Sequence, residues 1–220
     1  MRKAVQHIKK PFIPIAMILS GIILGIIVSS AIFTLTGFSL FGETQKHTIS
    51  VDDAKNADMA LLAYEILEYI SENDFIALSK VVHPEFGLVL SPSATINLTT
   101  DRRFSAEQVA NLASDSSIYV WGTYNGSGKP IEMRPTEYFN EYVPAKGHMD
   151  ASVIGINQIV RSGNALENIV EVFPNVKYVD FHMPGADKFA EYDWSSLRLG
   201  FEEFDGEFKL VVITHSAWTD

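Results

Sequence analysis

The chain has 220 residues, and its 27 acidic residues outnumber its 17 basic ones, which gives a formal net charge of −10 at pH 7. Four of the basic residues fall among the first ten, so the other 13 face all 27 acidic residues and the rest of the chain carries −14. This acidity argues against nucleic acid and anionic lipid surfaces as binding partners. The absence of cysteine excludes a disulfide framework, so a folded domain must be stabilised by its own core.

The first 41 residues have the pattern of a membrane anchor. Residues 1–11 form a basic cytoplasmic leader, and residues 12–41 contain no charged side chain. A bilayer-spanning helix needs about 20 apolar residues, whereas the apolar region of a signal peptide has roughly 7–15. The sequence therefore predicts a transmembrane helix over 12–41 that contacts the lipid bilayer. Since the leader is basic, the positive-inside bias predicts a single-pass cell-membrane protein with its C-terminal domain extracytoplasmic.

Small residues recur along one face of this predicted helix, where Gly21, Gly25 and Ser29 are spaced by four. Two such helices can approach closely, which would make a homodimer, although glycine is also generally common in transmembrane helices. Ser29 and Ala31 fit a weak signal-peptide cleavage pattern, so processing of the segment remains an alternative.

The next residues, 42–50, read as a polar linker, and residues 51–220 as one extracytoplasmic domain. Apolar residues recur at helical spacing between Ala57 and Leu67, and Asp74 is placed to cap a second helix that must end before Pro84. The domain is therefore expected to open with a bent helical pair.

Further helix signals are short. Ser105 and Gln108 have the spacing of a capping box, and residues 136–143 predict another helix. Asn164 and Glu167 again have cap spacing, which predicts a helix that stops before Pro174.

Strand signals dominate the last third of the chain. Residues 175–183 alternate, and two strand-like runs flank Asp205-Gly206, the strongest hairpin signal in the sequence. Early helices and late strands predict an α+β domain with a curved, mainly antiparallel sheet. The run from Val211 to Trp218 is apolar on both faces, so we expect a central strand whose Trp218 closes one edge of the core.

Four segments together resemble a family of uncharacterised bacterial envelope proteins that are often lipoproteins: "VVHPEFGLVLSP", "WGTYNGSGKPIEM", "EYFNEYV" and "DWSSLRLGFEEFDGEFKLVVITHSAWTD". Domains of that family end in a hairpin followed by H-x-x-W-T, and the match covers roughly 83–220. The family implies no activity for any residue here. This chain departs from its common form because an uncleaved helix stands where a lipid-modified cysteine would be.

The order of a helical pair, strands and a final hairpin is also similar to the cone-shaped fold of the nuclear transport factor 2 superfamily. That resemblance implies a curved sheet around a helix with a pocket, used by some members for catalysis and by others for binding. Fold alone does not fix function.

Candidate chemistry centres on Asp180 and His182. Residues i and i+2 of a strand share a face with their Cα atoms roughly 6.5 Å apart, so an aspartate could orient an imidazole as a general base. An ordinary polar pair on a solvated face is the alternative. His148 and Asp150 repeat the spacing, so two adjacent strands could gather four ligands around a metal, although the sequence does not require any metal or cofactor. His215 is either a core histidine or a group at a pocket mouth.

Three functional hypotheses follow. The first is a membrane-anchored domain that binds a small ligand, wall component or partner protein without catalysis. The second is an envelope hydrolase, isomerase or dehydratase that uses Asp180 and His182, with His215 nearby. The third is a homo-oligomeric structural module joined through residues 12–41.

Overall fold

The computed structural model describes residues 51–124, 127–186 and 192–218. Two helices come first, α1 (Val51–Ser71) and α2 (Phe75–Val81). The carboxylate of Asp74 accepts a hydrogen bond of 2.8 Å from the N–H of Ala77 and so caps α2. The predicted helical pair and its cap are confirmed.

The remaining elements are short until the final hairpin. In chain order they are β1 (Leu88–Ser91), β2 (Arg102–Phe104), α3 (Ala106–Ala110), β3 (Tyr119–Thr123), β4 (Pro130–Met133), α4 (Pro135–Tyr142), α5 (Ala145–His148), β5 (Val153–Ile156), α6 (Ile169–Val172), β6 (Lys177–Met183), β7 (Ser195–Phe204) and β8 (Glu207–Ala217). Ser105 and Gln108 exchange side-chain and backbone hydrogen bonds at the start of α3, which confirms that capping box.

Six strands form one sheet in the order β2-β1-β8-β7-β6-β5, and β3 pairs with β4 in a separate two-stranded sheet. The α+β domain therefore has a mixed sheet, because β1 runs parallel to β8 while the other neighbours are antiparallel. Four of the five neighbouring pairs are antiparallel, as expected, and the parallel pair is what corrects the predicted sheet. Hairpin signals report pairs that are close in sequence, whereas β1 reaches the sheet from the helical pair and meets a strand more than 100 residues later.

The predicted fold class also included a transmembrane helix, and the helices of the described residues do not include one. Within the described ranges, no helix combines the length and the apolarity needed to cross a membrane. The anchor was placed at residues 12–41, and its contact residues Gly21, Gly25 and Ser29 lie outside the described residues. The location of the domain and the similarity to the nuclear transport factor 2 superfamily stay predictions from the sequence.

Both faces of the large sheet are covered. Helices α1 and α2 pack with alternate sheet residues such as Phe181, Leu197 and Ile213 in the main core. The opposite face packs a smaller cluster that includes Ile169, Phe173 and Val212. Residues on each strand therefore divide into a helix-covered face and a second face that lies under the segment before and including α6.

The final hairpin places β8 beside β7, and β8 is central because β1 pairs with its other edge. Asp205 and Gly206 have φ of 52° and 83°, as the predicted tight turn requires, and they join strands of 10 and 11 residues. The central position of β8 is confirmed by the strand order. The role expected for Trp218 is wrong, because this residue is 41% exposed and contacts Tyr192 at the surface.

Candidate functional site

A row of polar side chains crosses the second face of the sheet. Asp180 on β6 lies opposite Arg198 on β7, and Arg198 lies opposite Thr214 on β8. All three residues are fully buried. Arg198 donates a hydrogen bond of 3.1 Å to Asp180 Oδ2 and a second, short one to the carboxylate of Glu167. The centre of the sheet thus contains a buried ion pair that is shared with a third charged group.

Not every polar atom of this row is paired. Asp180 Oδ1, Arg198 Nε and Thr214 Oγ1 are buried without a hydrogen-bond partner among the described residues. Buried polar atoms are normally satisfied, and each unsatisfied one costs about 1–3 kcal/mol. The row is therefore a feature that the rest of the fold must stabilise.

An irregular segment covers the row, and we call residues 157–168 the strap. The backbone N–H of Val160 donates to Asp180 Oδ2 at 2.9 Å, and Glu167 accepts from Arg198 and, at 3.4 Å, from Ser216. At the end of the strap, the amide of Asn168 exchanges two hydrogen bonds with the backbone of Ile96. The strap is held on the sheet by polar contacts along its length.

His182 lies on the same face as Asp180, as strand geometry predicts, but the two side chains have different partners. The Nδ1 atom of His182 lies 2.9 Å from Ser196 Oγ, and its ring packs near Trp194. Burial lowers the pKa of His182, and the negative charge of Asp180 only partly opposes that shift. Because Asp180 bonds to Arg198 and Val160, its carboxylate does not orient the imidazole as the predicted dyad requires.

The hypothetical two-strand metal site is wrong. His148 belongs to helix α5, where its Nδ1 lies 3.1 Å from the Pro144 carbonyl and its Nε2 lies 3.2 Å from Ser195 Oγ. Asp150 is exposed in the turn that follows. Across the described ranges, no group of three or more histidine, cysteine or acidic side chains could hold a metal ion.

His215 faces the other side of the sheet. It lies opposite Leu197, which lies opposite Phe181, and both of these residues belong to the helix-covered core. The sheet therefore separates His215 from Asp180 and His182. The three predicted catalytic residues do not converge on one cavity.

His215 instead lines a small pocket of about 130 Å³. The walls are Tyr142 at the end of α4, the loop at 92–94, Ala165 of the strap and residues 215–217 of β8. The rings of Tyr142 and His215 approach edge to face with centroids 6.2 Å apart. Cavities of about 410 Å³ beside α3 and about 260 Å³ beside α4 and α5 are more open and contain none of the predicted site residues.

The two titratable groups that line this pocket, His215 and Tyr142, are uncharged near neutral pH. Burial lowers the pKa of His215 to about 4, with a smaller contribution from nearby His148. Burial also raises the pKa of Tyr142, and Glu141 and Tyr124 raise it further. The pocket therefore offers a neutral imidazole and a phenol to whatever enters it.

Comparison with known proteins adds no assignment. The chain matches no model of a protein family, and no curated protein is significantly similar to it. The function must be argued from the chemistry of the site itself.

Sequence reasoning missed Arg198, Glu167 and Tyr142. Arg198 had a usable signal, because it is the one basic residue inside the apolar run from Ser195 to Phe201. A charged residue in such a strand needs a buried partner of opposite charge. Asp180, in the preceding strand with its alternating pattern, could supply that charge. Glu167 was instead interpreted as part of a helix cap, and Tyr142 as an ordinary helical residue.

Proposed function

We propose that the domain is a non-catalytic binding module, and that the pocket lined by Tyr142 and His215 receives an uncharged group of its ligand. The observation that carries this proposal is the neutral His215 at the wall of a small, partly open pocket. A neutral imidazole can donate one hydrogen bond and accept another, so it can recognise a polar group without changing charge.

Catalysis has less support from the same geometry. A general base works best with a pKa near the operating pH, whereas that of His215 is about 4. His215 also faces Tyr142 rather than a carboxylate. The alternative enzyme needed Asp180 to orient His182, but Asp180 is bonded to Arg198 and to the strap.

The size of the pocket limits what can enter. Pockets that enclose drug-sized ligands have about 300–1,000 Å³, and this one has about 130 Å³. It can enclose only a few non-hydrogen atoms, so most of a larger ligand would remain outside. We infer that the pocket takes one small group of a larger molecule or a side chain of a partner protein.

The test is binding of small uncharged fragments to the full-length protein. A panel that includes acetamide, N-methylacetamide and cyclopentanol is screened by saturation-transfer NMR. Fragments that bind are then tested against Ala165→Leu, which fills the pocket from the strap. We expect this variant to lose binding at least about tenfold, because the added side chain occupies the volume that the fragment needs.

Ala113→Leu is the matched control. Ala113 is exposed beyond α3 and does not line the pocket, so this variant should bind fragments as the wild type does. The proposal fails if no fragment binds, or if fragments bind equally to the wild type and to Ala165→Leu.

A further inference from the structure

A second cavity, of about 410 Å³, lies beside α3 and shares no lining residue with the pocket at His215. Phe104 and Leu112 are buried and form its apolar floor, and the ring of Tyr119 adds an aromatic wall. The volume falls within the range of about 300–1,000 Å³ that is typical of small-molecule sites. This cavity can therefore take a whole small molecule, and not only one group of a larger one.

Three polar side chains of the cavity use their donor hydrogens within the protein. The amide NH₂ of Asn111 donates to the Glu107 carbonyl at 2.9 Å, and the hydroxyl of Ser114 donates to the Asn111 carbonyl at 3.1 Å. The hydroxyl of Tyr119 donates to Asp115 Oδ2 at 2.7 Å. The oxygen atoms of these side chains therefore remain available to a ligand only as hydrogen-bond acceptors.

Two carboxylates add negative charge to these acceptors. The carboxylate of Glu107 is exposed and makes no hydrogen bond or ion pair with any residue that the structure describes. Asp115 also accepts from the N–H of Ser117 at 2.8 Å. Hydrogen bonds from Ser117 and Tyr119 lower the pKa of Asp115, so this carboxylate is ionised at neutral pH. The cavity thus presents two negative charges to a ligand.

Two nearby groups differ from this pattern. The side-chain oxygen of Gln108 accepts from the N–H of Ser105 at 2.8 Å, so its NH₂ group is left as a donor in the cavity wall. The guanidinium of Arg102 lies 5.3 Å from the centre of the Tyr119 ring, but Arg102 does not line the cavity, and its Nε donates to the Val120 carbonyl. The two carboxylates outnumber this single positive charge.

We propose that the cavity binds a small molecule in which a primary ammonium group is attached to an apolar chain. An ammonium group has three donors and no acceptor, which matches oxygen atoms that can only accept. Its charge complements Glu107 and Asp115, while the apolar chain packs on Phe104 and Leu112. A ligand with a carboxylate at the same position would be repelled. This site is separate from the pocket at His215 and does not depend on the function proposed for it.

The experiment is an NMR titration of 15N-labelled full-length protein with three probes of similar shape, in about 150 mM NaCl to screen long-range attraction. The probes are n-butylammonium, 1-butanol and butyrate. We expect n-butylammonium to shift amide resonances within residues 107–119 and to bind about tenfold more tightly than 1-butanol, which lacks the charge. Butyrate should not bind.

Glu107→Gln tests the site without removing a folding contact, because this carboxylate has no partner among the described residues. We expect it to weaken n-butylammonium binding about three- to tenfold, and Asp115→Asn to have a similar effect. Glu171→Gln is the matched control, since it removes the same charge from the exposed surface of α6 and should bind as the wild type does. Ala165→Leu, which fills the pocket at His215, should also bind n-butylammonium normally.

Three results would overturn the proposal. The first is no binding of n-butylammonium, or equal binding of 1-butanol. The second is the same loss of affinity in Glu171→Gln as in Glu107→Gln, because the probe would then respond only to the net charge of the domain. The third is tighter binding of N-acetyllysine methylamide than of n-butylammonium, which would assign the cavity to a lysine side chain of a polypeptide. Loss of fragment binding at the His215 pocket leaves this proposal unaffected.

Discussion

Asp180 and Arg198 lie directly opposite each other on β6 and β7, and their side chains form an ion pair at 3.1 Å with no exposure to solvent. The pair is more informative about folding than about catalysis. Transferring two charges from water to the protein interior costs free energy. Their mutual attraction offsets that cost only with good geometry and additional hydrogen bonds. Val160 and Glu167 supply those extra bonds from the strap.

Removing one member of the pair should therefore destabilise the domain strongly. We expect Arg198→Met to lower the free energy of unfolding by about 3–5 kcal/mol, because Asp180 is left buried without its counter-charge. In the double variant with Asp180→Leu, the uncompensated charge is gone and much of the loss should be recovered. Urea denaturation of the single and double variants measures both effects. A double variant as unstable as the sum of the two single variants would contradict this interpretation.

The strap should loosen when the charge of Glu167 is removed. Glu167→Gln keeps the shape of the side chain, which is 11% exposed, but weakens its bond to Arg198. We expect a loss of about 1–3 kcal/mol and faster amide hydrogen exchange within residues 157–168. Glu171→Gln is the matched control, since Glu171 is exposed on α6. Equal exchange rates in the two variants would show that Glu167 does not hold the strap.

Acidification should destabilise the domain through His215. Its pKa in the folded protein is about 4, below the ordinary value of about 6.5, so the unfolded chain takes up the proton first as the pH falls. The contribution to stability is complete above pH 6.5 and is lost progressively toward pH 4, by at most about 3 kcal/mol. Burial also lowers the pKa of His148 and His182, which act in the same direction.

The variant His215→Phe isolates this effect. The difference in unfolding free energy between pH 7 and pH 4.5 should be smaller in the variant than in the wild type, because one proton-linked group has been removed. Chemical denaturation at the two pH values gives the comparison. An unchanged difference would mean that His215 titrates normally in the folded protein.

Two glycines provide a clean test of backbone conformation. Gly206 has φ of 83° in the hairpin turn, and an added Cβ would meet no atom within 4 Å. Gly206→Ala should therefore cost about 1–2 kcal/mol through backbone strain alone. Gly147 in α5 has equally open surroundings and no positive φ, so Gly147→Ala should be neutral or stabilising by up to about 1 kcal/mol. Thermal melting of both variants checks the predicted opposite signs.

Local features of the fold were predictable from the sequence because each is encoded by neighbouring residues. The Asp74 cap, the Ser105 capping box and the Asp205-Gly206 turn all depend on residues within a few positions of one another. The parallel pairing of β1 with β8 was not predictable in this way. This pairing depends on which of several buried strands become neighbours in the fold. The sequences of β1 and β8 have the same apolar pattern, so the pattern does not identify their partners.

In the candidate site, too, local features were predictable from the sequence and long-range contacts were not. Strand parity placed Asp180 and His182 on one face, but it could not show that an arginine from the next strand binds the carboxylate. Glu167 had the spacing of a helix cap, yet the helix begins only at Ile169, and the side chain turns to Arg198 instead. Tertiary charge pairing outweighed a local propensity worth about 1 kcal/mol.

The strand order has a consequence for biosynthesis. β8, the latest described strand to leave the ribosome, is the one that joins β1 and β2 to the rest of the sheet. Until it emerges, β1 has only the three residues of β2 as a partner, and one edge of β7 stays open. With a ribosome stalled before Glu207, the strands of the large sheet would therefore form two separate groups, and the native sheet should form only after residues 207–217 have emerged.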